Sequence, residues 1–195
     1  MKQSEKPVGR VALLIIDMMN PLSFGKGPLL LEGMKKIAQP LAELRLRVKE
    51  AGLAVIYVND NEGRWQSEKE YIVQRALDGP AGGIIRPILP GNGDYFVIKP
   101  KHSGFFATPL QALLTELGIR TLILTGVAGN ICVLFTANDA YMRDYKLFVP
   151  ADCCASNVKE DNDFALRMMK NVLKADVREQ AAIEFLLPAD IRQTK

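Results

Sequence analysis

Short apolar segments alternate with amphipathic segments along most of the chain. The apolar segments have the length and composition of strands that are buried on both faces of a sheet. They occupy residues 11–16, 53–58, 94–98, 121–125 and 146–149. We therefore predict five strands at these positions, and a sixth, less regular strand that begins at Asp176.

The segments between these strands repeat their apolar residues at helical spacing. Helices are predicted over residues 33–51, 67–77, 109–117, 130–144 and 161–173. In the first helix Ile37 and Leu41 lie on one face, and Gly52 is a typical residue to follow its end. Ser67 and Thr108 stand at the start of the second and third helices and are predicted to be their N-caps.

This alternation of strands and helices predicts one α/β domain over residues 1–195. Because apolar strands in such a pattern are covered by helices on both faces, the predicted fold is a three-layer α/β/α sandwich around a mostly parallel, six-stranded sheet. Proteins with this Rossmann-like architecture bind ligands beyond the carboxyl ends of the strands. Reactive residues at those ends are therefore the candidates for a site.

Composition excludes several classes of partner. The 25 basic and 22 acidic residues give a net charge of +3, too small and too scattered to predict nucleic-acid binding. The longest apolar run, residues 11–16, is far shorter than a membrane span, and residues 1–10 lack the apolar centre of a signal peptide. Three cysteines without metal-type or redox-type spacing favour reduced thiols in the cytoplasm.

Cofactor binding is also not predicted. No glycine-rich nucleotide-binding motif is present, and His102 is the only histidine, which excludes most histidine-based metal sites. The expected ligand is therefore a small-molecule substrate, without a bound cofactor or metal.

Cys132 is the first candidate for chemistry. It follows a predicted strand and a glycine-containing turn, so it lies in or next to the first turn of a helix. Free backbone N–H groups and the helix dipole at such a position favour the thiolate, which is the nucleophilic form. The alternative is a small buried core residue, which is the commonest role of a free cysteine.

Asp17 and Lys99 end the first and third predicted strands, so they lie at the same edge of the sheet as Cys132. Each residue alone also fits an ordinary role, Asp17 as a turn former and Lys99 as a solvated strand end. Together they suit hydrolysis of an amide-like bond through a thioester. Asp17 would accept the thiol proton, Lys99 would stabilise the thiolate, and backbone N–H groups of residues 127–132 would bind the oxyanion.

Several ordered motifs carry a resemblance to a known family. They are LLIIDMMN at 13–20, KPKHSGFFATPL at 99–110, TGVAGNICV at 125–133, TANDA at 136–140 and ADCCAS at 151–156. In this respect the chain resembles the isochorismatase-like cysteine hydrolase superfamily. The resemblance implies a catalytic triad of Asp17, Lys99 and Cys132. It also implies a cis peptide between Val127 and Ala128, which would turn the amides of Ala128 and Cys132 into an oxyanion hole.

Departures from the family pattern narrow the expected activity. Nicotinamidases of this superfamily bind a metal through an aspartate and two histidines after the second strand, where this chain has no histidine. Asp60 and Glu62 have the oxygens for a hard cation, but a solvated loop is the better interpretation. Isochorismatases that cleave a vinyl ether lack the cysteine, so Cys132 argues against that activity. Gly129 replaces the Thr or Ser of many relatives, with a consequence that stays open.

Three aromatic residues, Phe24, Trp65 and Phe105, lie in predicted loops near the same edge and are candidate walls for a planar substrate. Ordinary packing or a subunit contact explains them equally well, and a homo-oligomer is expected. Two other functions remain open at this point. One is a vinyl-ether hydrolase that uses Asp17 as an acid, and the other is a non-enzymatic, flavodoxin-like binding module.

Overall fold

A computed structural model of the protein describes residues 10–183. Its centre is a parallel sheet with the strand order β3-β2-β1-β4-β5, in which β6 also pairs with β4. The strands are β1 (Arg10–Ile16), β2 (Ala54–Asp60), β3 (Tyr95–Lys99), β4 (Ile119–Val127), β5 (Lys146–Phe148) and β6 (Cys154–Ala155). The predicted six-stranded, mostly parallel sheet with flanking helices is confirmed. We predicted the absence of a signal peptide from residues 1–10. Of these, only Arg10 belongs to the described residues.

Six α-helices lie among the described residues. They are α1 (Gly27–Glu50), α2 (Lys69–Asp78), α3 (Gly82–Ile85), α4 (Leu110–Glu116), α5 (Leu134–Tyr141) and α6 (Lys159–Asn171). Short 3₁₀ segments follow α3 and precede β6, and another lies near residue 181. Within residues 10–183, no helix is both long and apolar enough to cross a membrane.

The two faces of the sheet carry separate apolar cores. Side chains alternate along a strand, so neighbouring residues of β1 enter different cores. Leu13 packs in the core that also holds Leu41 of α1, whereas Leu14 packs in the core that holds Ala137 of α5 and Met169 of α6. Burial of β1 on both faces explains why its sequence is an uninterrupted apolar run.

Helix starts differ from the predicted positions. The helix α1 begins at Gly27, six residues before the predicted start, with a proline in its first turn. Ser67 does not cap α2, which begins two residues later, because its hydroxyl donates instead to the carbonyl of Arg64 at 2.9 Å. Thr108 does accept the amide of Leu110, the first residue of α4, at 3.2 Å.

The position of the sixth strand was predicted wrongly. Asp176 forms one isolated bridge, to Phe148. The amide of Asp176 donates to the carbonyl of Leu147, and its carbonyl accepts the amide of Val149. The sixth strand is instead β6, which pairs with the end of β4 at Gly126 and Val127. A strand of two residues is too short to produce a recognisable apolar pattern, so the sequence gives no signal for it.

A partly buried ion-pair cluster connects the start of β3 to α1. Asp94 accepts hydrogen bonds from Arg45 at 2.7 Å and from Lys49 at 2.6 Å. Arg45 also donates to the hydroxyl of Tyr57, which in turn donates to the carbonyl of Ile88. Burial alone would raise the pKa of Asp94, but hydrogen bonds from Lys49, the Gly91 amide and Arg45 hold it below its usual value.

We expect Asp94→Asn to lower the free energy of unfolding by about 1–3 kcal/mol at neutral pH, because it leaves two cations without their partner. A carboxyl whose folded-state pKa is lowered stabilises the fold above its unfolded-state pKa, and this contribution is lost as the pH falls through the folded-state value. The difference from the wild type should therefore shrink in acid. Urea unfolding near pH 7 and near pH 3 measures it. Asp163→Asn, in an exposed pair with Lys159, is the matched control and should change little. An equal loss in both variants would contradict the prediction.

Candidate active site

A cavity of about 480 Å³ opens at the carboxyl ends of the central strands. Its walls come from the loops after β1, β2, β3, β4 and β6, from Leu30 of α1 and from Arg75 of α2. This is the edge at which the fold class predicts ligand binding. Asp17 and Cys132 both line the cavity, and Lys99 lies buried behind them.

Lys99 is the centre of a compact polar cluster. Its Nζ lies 2.8 Å from Asp17 Oδ2, 3.5 Å from Cys132 Sγ and 3.7 Å from Asp60 Oδ2. The other carboxylate oxygen of Asp17 accepts the Asp60 amide at 2.7 Å. The structure therefore brings Asp17, Lys99 and Cys132 together, and adds Asp60 as a second carboxylate near the ammonium.

Backbone geometry at the strand ends makes this approach possible. Gly126, at the end of β4, has a φ of 110°, and a Cβ there would lie 2.0 Å from the carbonyl oxygen of Ile16. Only glycine lets β4 pass so close to the end of β1. Asp17 directly follows Ile16, the last residue of β1, and its amide donates to the carbonyl of Val58 in β2 at 3.0 Å. The carboxylate is thus held between β2 and the turn after β4.

Burial and neighbouring charges have opposing effects on the pKa of Asp17 and on the pKa of Lys99. Burial raises the pKa of Asp17, and this effect outweighs the opposing charge of Lys99. For Lys99, burial alone would lower the pKa, but the acidic groups around it, the Asp17 carboxylate first, outweigh burial, and the pKa is raised. Lys99 therefore stays an ammonium, while Asp17 is a carboxyl group that takes up a proton more readily than usual.

The pKa of the Cys132 thiol is raised, which favours its protonated form. Burial raises its pKa most, the charge of Asp17 raises it further, and Lys99 only partly opposes them. The prediction that the helix start would favour the thiolate is therefore wrong, because burial and the adjacent carboxylate outweigh the ammonium and the helix end. The Asp17 carboxylate is near enough to raise the pKa of the thiol, and both groups contact Lys99 Nζ, so a proton acceptor lies beside the nucleophile.

The turn that carries Cys132 is not an α-helical turn. Residues Gly129–Val133 form one π-helical turn, and α5 begins only at Leu134, so the predicted single helix over residues 130–144 is divided. The amides of Ile131 and Val133 both donate to the carbonyl of Ala128. The peptide between Val127 and Ala128 is cis, as the family resemblance implied.

The two amides of the expected oxyanion hole belong to Ala128 and Cys132. Within the described part of the chain, neither amide donates to a residue outside this turn. Both residues line the cavity. The two residues that are expected to form an oxyanion hole therefore lie together at the cavity wall, next to the thiol.

The three aromatic candidates have different positions. Phe24 lines the cavity and is about half exposed. Trp65 is 84% exposed and is not part of the cavity wall. Phe105 is buried in one of the two apolar cores, with its ring 6.0 Å from that of Tyr145. Neither Trp65 nor Phe105 lines this cavity: Phe105 has the ordinary packing role that was its alternative, and Trp65 faces solvent.

The loop after β2 holds two acidic residues that were weighed as cation ligands. Asp60 lines the cavity close to Lys99, and Glu62 forms an ion pair with Arg75 at 2.8 Å. In the part of the chain that the structure describes, no three His, Cys, Asp or Glu side chains are arranged to hold a metal ion. Each of these carboxylates thus has a cation of the protein beside it.

Some cavity residues were not identified from the sequence. Arg75 reaches the cavity from α2, a helix surface position that carries no sequence signal. Asn59 is buried at the end of β2, and its side-chain amide donates to the carbonyl of Met19. Among the buried side-chain nitrogen and oxygen atoms of residues 10–183, its Oδ1 is the one without a hydrogen-bond partner. Its place at a strand end would have identified it. His102, which the sequence analysis named only as the single histidine, also lines the cavity, with Nδ1 4.0 Å from Cys132 Sγ.

Comparison with known proteins gives a consistent result. Residues 11–181 match the isochorismatase domain. The chain is 48% identical over 172 residues to the isochorismatase family protein YaaI of Bacillus subtilis, which covers 88% of this chain and 95% of that protein. It is 31% identical over 161 residues to the ureidoacrylate amidohydrolase RutB of an Enterobacter species, over 69% of this chain and 70% of that protein. The crystal structure of N-carbamoylsarcosine amidase from Thermoplasma acidophilum has a TM-score of 0.70 and 30% identity, over 90% of this chain and 99% of that chain.

The match extends over nearly all the described residues, from β1 through the strand ends to the segment beyond α6. It therefore includes every element that forms the cavity. The resemblance identified from the sequence motifs is confirmed, and the non-enzymatic alternative, a flavodoxin-like binding module, has no support. The chain belongs to the isochorismatase family, and it is a hydrolase of that family.

Proposed function

We propose that this protein is a cysteine hydrolase that cleaves an amide-like C–N bond of a small molecule. The observation that carries the proposal is the position of Lys99 Nζ, 2.8 Å from the Asp17 carboxylate and 3.5 Å from the Cys132 sulfur at the cavity. A carboxylate base and a thiol that both contact one ammonium are the groups that nucleophilic catalysis by cysteine needs.

In the first step, the sulfur of Cys132 attacks the carbonyl carbon, and the thiol proton moves to the Asp17 carboxylate. The carbonyl oxygen becomes an oxyanion that accepts hydrogen bonds from the amides of Ala128 and Cys132. The C–N bond then breaks, and Asp17 returns the proton to the leaving nitrogen. The products of this step are a free amine, or ammonia, and a thioester on Cys132.

In the second step, water attacks the thioester carbon and gives one proton to Asp17. The C–S bond breaks, the acid leaves, and Asp17 returns the proton to the sulfur. One water is consumed for each C–N bond cleaved, and the site regains its starting protonation. The raised pKa of Asp17, caused by burial, suits a group that accepts and donates a proton in both steps.

The relatives support a substrate with a carbamoyl or ureido group. Two similar proteins are named for such compounds, ureidoacrylate amidohydrolase and N-carbamoylsarcosine amidase. A cavity of about 480 Å³ accommodates a molecule of that size. Its polar groups include acceptors at Asn59 and Asp60, which suit a ligand rich in N–H donors.

A panel of small amides, ureido acids and carbamoyl compounds tests this proposal, with ammonia release as the readout. We expect hydrolysis of one or more carbamoyl or ureido compounds by the wild-type chain, without added metal. Isochorismate belongs in the same panel. Turnover of isochorismate alone, with no C–N bond cleaved, would contradict the proposal.

The second candidate is hydrolysis of a vinyl ether with Asp17 as the acid. The observation that favours it is the raised pKa of Asp17, since a protonated carboxyl at the cavity is what ether protonation requires. In that reaction Cys132 has no covalent role. Substitution of Cys132 therefore separates the two candidates.

A further inference from the structure

We infer that Asn162 of α6 is a positioning residue for the turn that carries Cys132, and that Gly129 is required because the Asn162 side chain occupies the space beside it. The inference rests on the proposed function for its catalytic meaning. It also explains why glycine stands at position 129, which the sequence left open.

Asn162 is buried and links three segments of the chain. Its Nδ2 donates to the carbonyl of Cys154 in β6 at 3.2 Å. Its Oδ1 accepts the hydroxyl of Ser156 at 2.9 Å, and the same hydroxyl oxygen accepts the amide of Asn130 at 3.0 Å. A continuous chain of hydrogen bonds therefore runs from α6 through Ser156 to the nucleophile turn.

Gly129 is the residue of the turn that faces this chain of bonds. A Cβ at position 129 would lie 2.1 Å from Asn162 Oδ1 and 3.3 Å from Ser156 Oγ. Gly129 is not among the glycines with a left-handed φ, so its backbone conformation is open to any residue. The requirement for glycine is therefore one of space, and Asn162 is the group that takes the space.

The geometry of the thiol depends on this contact. Cys132 shares a five-residue π turn with Gly129, and its sulfur must stay about 3.5 Å from Lys99. A shift of about 1 Å in a reacting group costs on the order of 100-fold in rate. Asn162 does not line the active-site cavity, so it acts on the reaction through the turn and not through the substrate.

The test compares the wild type with Gly129→Ala, Asn162→Ala and the double variant. We expect kcat to fall by roughly 100-fold in Gly129→Ala and by roughly 10-fold in Asn162→Ala, with KM nearly unchanged. The double variant should be more active than Gly129→Ala, because removal of the amide makes room for the new methyl group. Ser156→Ala breaks the same chain and should resemble Asn162→Ala. Asn171→Ala, at an exposed site of the same helix, is the control and should resemble the wild type.

Alkylation of Cys132 by iodoacetamide near pH 9, followed by peptide mass mapping, gives a second measurement that needs no substrate. We expect the alkylation rates of the variants to follow the same order as their kcat values, so Cys132 should react faster in the double variant than in Gly129→Ala. If Gly129→Ala fails to fold, recovery of the folded protein in the double variant supports the inference. The inference would be overturned if the double variant lost kcat and alkylation rate by the product of the losses of the two single variants. Failure to find an amide substrate would leave the alkylation result intact, so the two proposals fail separately.

Discussion

Replacing Cys132 with alanine is expected to abolish C–N bond hydrolysis, with a loss of at least about 10⁴-fold in kcat/KM. In the described site this thiol contacts Lys99, which also contacts the Asp17 carboxylate, the proposed base. In the proposed mechanism no thioester forms without this thiol, so no oxyanion develops at Ala128 and Cys132. The melting temperature should change little, since the residue is partly exposed at the cavity. Steady-state kinetics with a substrate from the panel measure the loss.

Cys154→Ala is the matched control for this variant. Cys154 is a buried thiol in β6, with its sulfur 3.6 Å from the carbonyl of Leu124, and it lies outside the active-site cavity. Its loss should reduce stability more than activity. If Cys132→Ala keeps most of its activity and Asp17→Asn loses it, the vinyl-ether mechanism replaces the thioester mechanism.

Asp17→Asn is expected to change turnover and thiol reactivity in opposite directions. Turnover should fall by roughly 10³-fold, because asparagine neither accepts the thiol proton nor protonates the leaving nitrogen. The pKa of Cys132 is raised by burial and by the charge of Asp17, and lowered by Lys99. A neutral asparagine removes one of the two raising effects. More thiolate is then present at a given pH, and alkylation of Cys132 should become faster.

Both quantities are measured on the same preparations, kcat/KM with a panel substrate and the rate of Cys132 alkylation across neutral to alkaline pH. The alkylation profile of the variant should shift towards lower pH. Asp60→Asn is the comparison, since Asp60 lies 3.7 Å from Lys99 and forms no bond to the thiol, so smaller changes are expected in both measurements. A parallel fall in turnover and alkylation would mean that Asp17 only maintains the structure of the site.

Much of the site could be predicted because its residues stand at strand ends. The apolar runs that end before Asp17 and at Ile98 mark β1 and β3, and parallel strands end at a common edge. Burial on both faces produces those runs, so the sequence carries the signal directly. The assignment of Asp17, Lys99 and Cys132 to one triad came from the resemblance, and the distances agree with it.

The remaining features depend on contacts between distant parts of the chain. Whether Phe105 packs inward or lines a pocket is decided by Tyr145, forty residues away, and local pattern cannot report it. The protonation of Cys132 depends on burial, which a helix-start argument omits. The place of β6 is set by its pairing with β4, and the role of Gly129 by Asn162. One domain over the whole chain, a homo-oligomer and a cytoplasmic location stay predictions.

The central claim is that a substrate acyl group becomes attached to Cys132. The most direct measurement is mass spectrometry of the wild-type protein, acid-quenched during turnover of a panel substrate and digested. We predict that the peptide containing Cys132 gains the mass of the acyl or carbamoyl group, and that this mass is absent from peptides containing Cys153 and Cys154. Rapid turnover with no adduct at any quench time, together with an active Cys132→Ala variant, would contradict the account.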